Sequence, residues 1–494
     1  MKQAVIHTIF SILIICVMIS GCKKESETRN HQPNVLLIYT DDHAQWAVGA
    51  YGNEEVHTPN MDRLASEGLL FTQGFTKPVC SPSRAMLLTG LYSHRVNIPD
   101  YIPFGNPVYV DNGLPAGTPT IASLLKEAGY VTGLVGKWHL GYGEKYYPEL
   151  FGFDHAEAYR YLSQGKTNLM AWELPFLING EEVDRFRRDT LHTDILADCA
   201  IEFIQTYRDK PFFLLLNTYL PHTPWDAVTG EDRSHYDGQS LSVSDVSHFP
   251  EKSITEEKLE ELMRQYYACV SCVDRNIGKV LEELDNLELA DKTITIFIGD
   301  NGFMVGQHGL LGKGNASILH FDEQGRVSRD RGRRPNMFDD SILVPFIIRW
   351  PGVVQPGTTN DSFVSTIDIL PTLTEITGIT TRDLQIDGNS LLSLLQNKTD
   401  VNRRTAYFDT YDMIYNGNNG EIPFMRMIRT NDWKLILYHD ENGQSLDNGT
   451  RHELFNLKTD PGELNNLYGV VSYENIQTEL ENRLLQWMNE NEVM

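Results

Sequence analysis

The sequence predicts an α/β protein: a large, mainly parallel central sheet flanked by helices, followed by a small C-terminal antiparallel sheet with a closing helix. Two observations carry this. Continuous apolar runs, the mark of strands buried on both faces, alternate with helical stretches across the first two thirds of the chain. Acidic, basic and histidine residues then gather directly after those runs, at the carboxyl ends of strands, where open sheets of this kind bind ligands.

The first run, Asn34-Val35-Leu36-Leu37-Ile38-Tyr39, is broken by Thr40-Asp41-Asp42, as a central strand ending in a polar loop would be. Residues 119–128 have helical periodicity and 130–135 are extended; 194–207 are helical and 211–217 extended. A long helical pattern over 258–284 leads into a strand at 294–298, and 344–350 reads as a further strand. Beyond a polar linker at 397–404 the texture changes. Short extended segments at 405–408, 425–429, 433–438 and 453–457 lie between turn-rich stretches, and 476–488 is an amphipathic helix. The expected units are therefore a catalytic α/β domain over 34–400 and a C-terminal α+β subdomain over 401–494.

The N-terminus adds an address. Met1-Lys2 and the apolar stretch Ile9 to Ile19 form a secretory signal too short for a stable membrane span. Its end, Ile19-Ser20-Gly21-Cys22, resembles a bacterial lipobox, so residues 1–21 are expected to be removed, Cys22 to carry lipid and 22–33 to act as a flexible tether. This predicts a protein of the bacterial cell envelope, periplasmic or at the outer-membrane surface, touching the membrane through its lipid anchor alone. With 494 residues and 41% hydrophobic content the chain can bury a large core. A formal net charge of -25 argues against nucleic acid or an anionic membrane surface as partner, so attraction for an anion must be built locally. Cys269 and Cys272 form a Cys-x-x-Cys that could be a redox pair or half a metal site, but they fall in the helical pattern at 258–284 with no second Cys or His pair. They read as buried thiols, and Cys199 is the remaining cysteine.

Chemistry concentrates at strand ends. Asp41 with Asp42, and Asp300 with Asn301, offer hard oxygen ligands that suit calcium or magnesium rather than zinc. Calcium is favoured, because several protein oxygens are at hand. Lys137 and His139, His222, and Lys313 follow other strands. In Cys80-Ser81-Pro82-Ser83-Arg84, Pro82 suits a first helical turn, which puts residue 80 at a helix N-terminus where backbone amides favour an anion.

The run Cys80 to Gly90, with Pro two residues and Arg four residues after the cysteine and Thr89-Gly90 at its close, resembles the maturation signature of the formylglycine-dependent sulfatases of the alkaline phosphatase superfamily. Gly136-Lys137-Trp138-His139-Leu140-Gly141, Pro221-His222-Thr223-Pro224, the stretch Gln307 to Gly314 and the closing Glu453 to Leu457 with Asp460-Pro461-Gly462-Glu463 match that family in order and spacing. The resemblance implies that a formylglycine-generating, sulfatase-maturing enzyme oxidises Cys80 to an aldehyde. It also implies one calcium ion on Asp41, Asp42, residue 80, Asp300 and Asn301, with Arg84, Lys137 and Lys313 supplying positive charge. The hydrated aldehyde would attack sulfur, His222 with Lys313 would protonate the leaving alcohol, and His139 would take the proton whose loss expels sulfate.

Envelope sulfatases of this kind are similar to those of glycan-degrading bacteria, which implies a sulfated carbohydrate substrate. Within the basic run Arg326 to Arg334, Arg331 and Arg333 are candidates for contacting a second sulfate or a carboxylate, and His308 is a further substrate-binding candidate. A solvated loop is the plainer reading of that run. Residues 100–111 and 171–189 are expected to wall the pocket. The competing functions are phosphonate or phosphate ester hydrolysis and an inactive glycan-binding lipoprotein.

Overall fold

A computed structural model describes residues 32–103, 111–159, 176–178, 181–183, 191–225, 228, 230–246, 254–322, 324, 326–328, 331–398, 404–415, 423–446 and 452–493. The expected signal, Cys22 and most of the tether lie outside these residues, as do 104–110 and most of 171–189.

In chain order the strands begin with β1 (Asn34–Asp41), β2 (Leu69–Phe75), β3 (Val131–Lys137), β4 (His155–Tyr159), β5 (Phe176–Ile178) and β6 (Glu181–Val183). There follow β7 (Phe212–Pro221), β8 (Thr293–Gly299), β9 (Met304–Val305), β10 (Leu310–Gly312), β11 (Ser317–Ile318), β12 (Phe346–Arg349) and β13 (Thr358–Ser365). The C-terminal set is β14 (Tyr407–Asp412), β15 (Phe424–Arg429), β16 (Trp433–His439) and β17 (Glu453–Asn456).

Ten strands form the main sheet, in the order β13-β2-β12-β8-β1-β7-β3-β4-β5-β6. At its centre β1 runs parallel to both β7 and β8, with Leu37 opposite Leu215 and Ile296. β3 is parallel to β7 and β4; β12 and the edge strands β5 and β6 are antiparallel to their neighbours. Every residue of β1, β7 and β8 is buried, as the unbroken apolar runs require.

The pleat sorts those residues into two cores. Leu36 and Ile38 join Leu214 and Leu216 under the helices His192–Tyr207 and Glu256–Asn286, while Val35, Leu37 and Tyr39 join Phe213 and Leu215 under Cys80–Thr89, Ile121–Glu127 and Ile369–Thr377. Cys269 and Cys272 are buried, as read from the helical pattern, and so is Cys199; none of the three is in a disulfide.

β14 to β17 form a four-stranded antiparallel sheet, and the helix Glu474–Glu490 covers it with buried Leu480, Leu484 and Trp487. A fully buried ion pair at 2.7 Å joins this sheet to the main body: Lys77, three residues before Cys80, meets Asp409 of β14. β9, β10 and β11 make a separate three-stranded sheet beside the carboxyl end of β8. The sequence reading did not foresee it, because strands of two or three residues carry no measurable period.

Candidate active site

β1 and β8 are parallel neighbours, so their carboxyl ends lie side by side and two acidic clusters distant in sequence become one. The Asp42 amide donates to Asp300 Oδ1 at 3.0 Å and the Asp300 amide to the Thr40 carbonyl at 2.8 Å. The helix Cys80–Thr89 begins against this corner with Pro82 in its first turn and ends at Gly90, whose left-handed φ of 67° lets its amide cap the Met86 carbonyl at 2.9 Å. One donor atom from each of Asp41, Asp42, Cys80 and Asp300 lies within 4.8 Å of the others, and all four residues are buried.

Three cations are aimed into the cluster. Arg84, one turn after Cys80, places Nη2 at 2.7 Å from Asp300 Oδ2 and 3.6 Å from Asp41 Oδ2. The Lys137 ammonium pairs with Asp41 Oδ2. Lys137 reaches this corner because Gly136, at φ 108°, lets β3 press against β7, where a Cβ would meet the Asn217 carbonyl at 1.8 Å. Lys313 pairs with Asp42 Oδ1 and donates to Cys80 Sγ at 2.7 Å and Asn301 Oδ1 at 3.3 Å.

A lysine ammonium held by a carboxylate, an amide oxygen and residue 80 acts as a stand-in cation, and the donors around it include no histidine. The residues present therefore fit a hard divalent ion such as calcium. Burial raises Asp41, but Lys137, followed by His222, Lys313 and Arg84, outweighs it and holds the carboxyl well below its usual range. Burial, with the Asp41 charge behind it, pushes Asp300 up to about 6 and the Cys80 thiol up to about 12. As a thiol, residue 80 is a poor nucleophile at neutral pH.

The two histidines differ in which nitrogen faces the chemistry. His139 Nε2 lies 3.0 Å from the Ile102 carbonyl and must donate to it, which leaves Nδ1 as the acceptor. That Nδ1 is buried and has no hydrogen-bond partner among the described residues. Burial first, then Lys137 and Arg84, hold the ring well below its usual pKa, so it stands neutral as a base. His222 donates from Nδ1 to the Thr223 carbonyl at 2.6 Å, leaving Nε2 at 3.7 Å from Asp42 Oδ2. With Nδ1 protonated, Nε2 carries a proton only in the imidazolium, which burial disfavours and the Asp42 and Asp41 charges favour; in that form it can pass the proton to a leaving group.

Cys80, Asp42, His139, His222 and Lys313 open onto a cavity of about 290 Å³. Its outer walls are Tyr101, Phe303 and Leu311 on the apolar side, with Asn315, Ser317 and Arg333 on the polar side. Of the substrate-binding candidates only Arg333 lines it. Arg331 is exposed on a turn, and His308, in a left-handed turn at φ 56°, stacks flat on Phe338 at 3.8 Å between ring centres. Tyr101 falls within the expected wall at 100–111. Phe303, Asn315 and Ser317 were not foreseen, because they sit on or beside the small sheet; nor was Asn217, whose Nδ2 joins Arg84 Nη1 in holding the Lys137 carbonyl at 2.6 and 3.2 Å.

Comparison with known proteins identifies the family. The family model described as Sulfatase matches residues 33–379, and the one described as N-sulphoglucosamine sulphohydrolase, C-terminal, matches 333–490. An N-acetylglucosamine-6-O-sulfatase of Bacteroides thetaiotaomicron is 26% identical over 94% of this chain and 88% of its own. An ulvan-active sulfatase of Formosa agariphila is 29% identical over 98% of this chain and 88% of its own. Among solved structures, a protein in complex with its substrate D-glucosamine-2-N,6-O-disulfate aligns with 93% of this chain and 98% of its own at 24% identity, with a TM-score of 0.72.

Proposed function

The chain belongs to the sulfatase family and is a sulfuric ester hydrolase, and we propose that it removes sulfate esters from glycans with a nucleophile made from Cys80. One observation carries this reading: residue 80 stands at a helix N-terminus with its side chain touching both Asp41 (3.3 Å) and Lys313 (2.7 Å), at the floor of a cavity that His139 and His222 also line. The two curated relatives, whose names specify N-acetylglucosamine-6-O-sulfate and ulvan, support a glycan as the substrate.

Asp41, Asp42, Asp300, Asn301 and residue 80 would hold a calcium ion, which when bound supplies positive charge beside the sulfate oxygens. Arg84, Lys137 and Lys313 add to that field from the protein itself, so an acidic molecule can bind a sulfate monoester. In the proposed cycle a maturing enzyme oxidises Cys80 to an aldehyde, and hydration gives it two hydroxyls. One hydroxyl oxygen passes its proton to the neighbouring carboxylates, of which Asp41 Oδ1 lies 3.3 Å from Cys80 Sγ, and attacks sulfur as the S–O bond to the glycan breaks. His222 Nε2, with the Lys313 ammonium beside it, protonates the departing alcohol. His139 Nδ1 then takes the proton of the second hydroxyl, the C–O bond to sulfate breaks and the aldehyde returns. A serine at position 80 would stop halfway, because its sulfate ester has no second hydroxyl.

The test is the mass of the peptide containing residue 80, from protein isolated in its native host. The expected peptide is lighter by the exchange of hydrogen sulfide for one oxygen atom. An unmodified cysteine in protein that hydrolyses sulfate esters would overturn the proposed nucleophile.

A further inference from the structure

Of the described arginines in the basic run at 326–334, one is built into the cavity wall, and the reason is a backbone ladder. Residues 332–336 pair antiparallel with 314–318: the Asn336 amide donates to the Gly314 carbonyl at 2.9 Å, Arg334 to Ala316 at 2.9 Å and Ile318 to Gly332 at 3.1 Å. In this register Arg333 lies directly across from Ser317. Side chains alternate faces along an extended chain. Arg334 accordingly turns away, pairing with Glu453 at 2.7 Å and covering the Phe338 ring at 4.8 Å, whereas Arg333 reaches the cavity and donates from Nη1 to the Asn315 carbonyl at 2.8 Å.

Lys313 lies on the bend between β10 and β11, just before the paired segment, and the Asn336 side chain donates to its carbonyl at 2.9 Å. Lys313 and Arg333 are the two lysine or arginine side chains lining the cavity among the described residues, and the ladder fixes one relative to the other. A rigid pair of this kind suits a ligand with two anionic groups at fixed spacing. The volume, about 290 Å³, is at the small end for ligand pockets and suits one sugar ring. Tyr101, Phe303 and Leu311 offer apolar faces to such a ring, and Asn315 and Ser317 offer polar groups to its hydroxyls.

Resting on the sulfatase reading above, we infer that Arg333 is a specificity-determining residue that reads a second anionic oxygen group on the same sugar whose sulfate ester is cleaved. The guanidinium fork matches both a carboxylate and a sulfate, and a charge-assisted bond of this kind is strong in a partly buried site. Arg331, on its exposed turn, takes no part.

The experiment uses the matured full-length enzyme and 4-nitrophenyl sulfate as reporter substrate. Three sugars compete against it: N-acetylglucosamine 6-sulfate with one anion, glucosamine 2-N,6-disulfate with a second sulfate, and a 2-sulfated hexuronic acid with a carboxylate. One or both of the doubly anionic sugars is expected to inhibit at lower concentration than the singly charged one. Arg333→Ala should weaken that inhibitor about tenfold more than it weakens the singly charged sugar, with Arg333→Lys in between. Whichever doubly anionic sugar responds identifies the second group as sulfate or carboxylate. Residual turnover of the reporter by each variant checks folding. Equal weakening of all three sugars, or no advantage for either second anion in the wild type, overturns the role of Arg333 and leaves sulfate-ester hydrolysis intact. A matured enzyme inactive on the reporter and on all three sugars overturns both.

Discussion

Among the described residues, two clusters of buried charge differ in what they face: one lines a cavity, the other is enclosed. At the carboxyl end of the main sheet Asp41, Asp42 and Asp300 meet Arg84, Lys137 and Lys313. Behind the C-terminal sheet the fully buried Lys434 lies 2.5 Å from Asp339 and 2.6 Å from Glu463, while Arg429 reaches Asp339 at 3.0 Å and the Asp339 amide donates to Glu463 at 2.6 Å. Both clusters hold carboxyl groups away from their ordinary pKa. Burial is the largest influence on Asp339, but Lys434 and Arg429 overcome it and hold the group low; burial pushes Glu463 up to about 8. Shifted titration is therefore no guide to function in this chain. What separates the two is convergence: Lys313 shares itself among a carboxylate, an amide oxygen and residue 80 at an open wall, whereas Lys434 is enclosed between two acids and the Met337 carbonyl.

Substitution at residue 80 gives the widest separation of the two clusters. Cys80→Ala should lower turnover of a sulfate ester by at least about 10⁴-fold, because no other group stands in the attacking position. Cys80→Ser should fall as far but retain sulfate on the serine, detectable by mass. His139→Ala comes next: turnover should drop about 10²- to 10⁴-fold, with sulfate accumulating on residue 80 because its second proton is not removed. A His139→Ala enzyme that slows without accumulating sulfate would assign that histidine to an earlier step.

Lys434→Met addresses the other side of the comparison. It removes the cation between Asp339 and Glu463 and leaves Asp339 to Arg429 alone, which costs about 3–5 kcal/mol of stability, yet the molecules that fold should retain their turnover. Urea unfolding followed by activity per folded molecule separates the two quantities. Unchanged stability with reduced turnover would mean that the C-terminal network serves the chemistry directly.

The same contrast explains which parts of the molecule were legible in the amino-acid sequence. The inner strands announce themselves because β1, β7 and β8 are buried on both faces and so lack polar alternation, and their ends carry Asp41, Asp42, His222, Asp300 and Asn301 in plain view. Cys80 and Arg84 are legible because one helical turn separates them and both must face the same corner. The substrate side is less so. Asn315, Ser317 and Arg333 owe their positions to a ladder of a few backbone bonds, whose register no local period encodes. Hence the basic run was visible as charge, while the choice of Arg333 over Arg331 and Arg334 needed the pairing. The C-terminal strands were visible, but the Lys434 network was not, since its members come from β15, β16, the short helix Asp339–Ile342 and a loop that meet only in the folded chain.

The smallest expected effect concerns a group that burial holds below its ordinary pKa. His192, at the start of the helix His192–Tyr207, is 3% exposed, and burial lowers its pKa from 6.5 to about 4. The native state therefore keeps this ring neutral where the unfolded chain protonates it. Stability from this group is fully present above pH 6.5 and is lost as pH falls from there toward 4, with a slope of at most one proton, about 1.4 kcal/mol per pH unit. His192→Gln removes the titrating group, so its unfolding free energy should fall less steeply than the wild type across that window, with the difference absent at pH 8. Parallel curves for the two proteins between pH 6.5 and 4 would show that His192 takes up its proton in the folded state, and that burial alone does not set its charge.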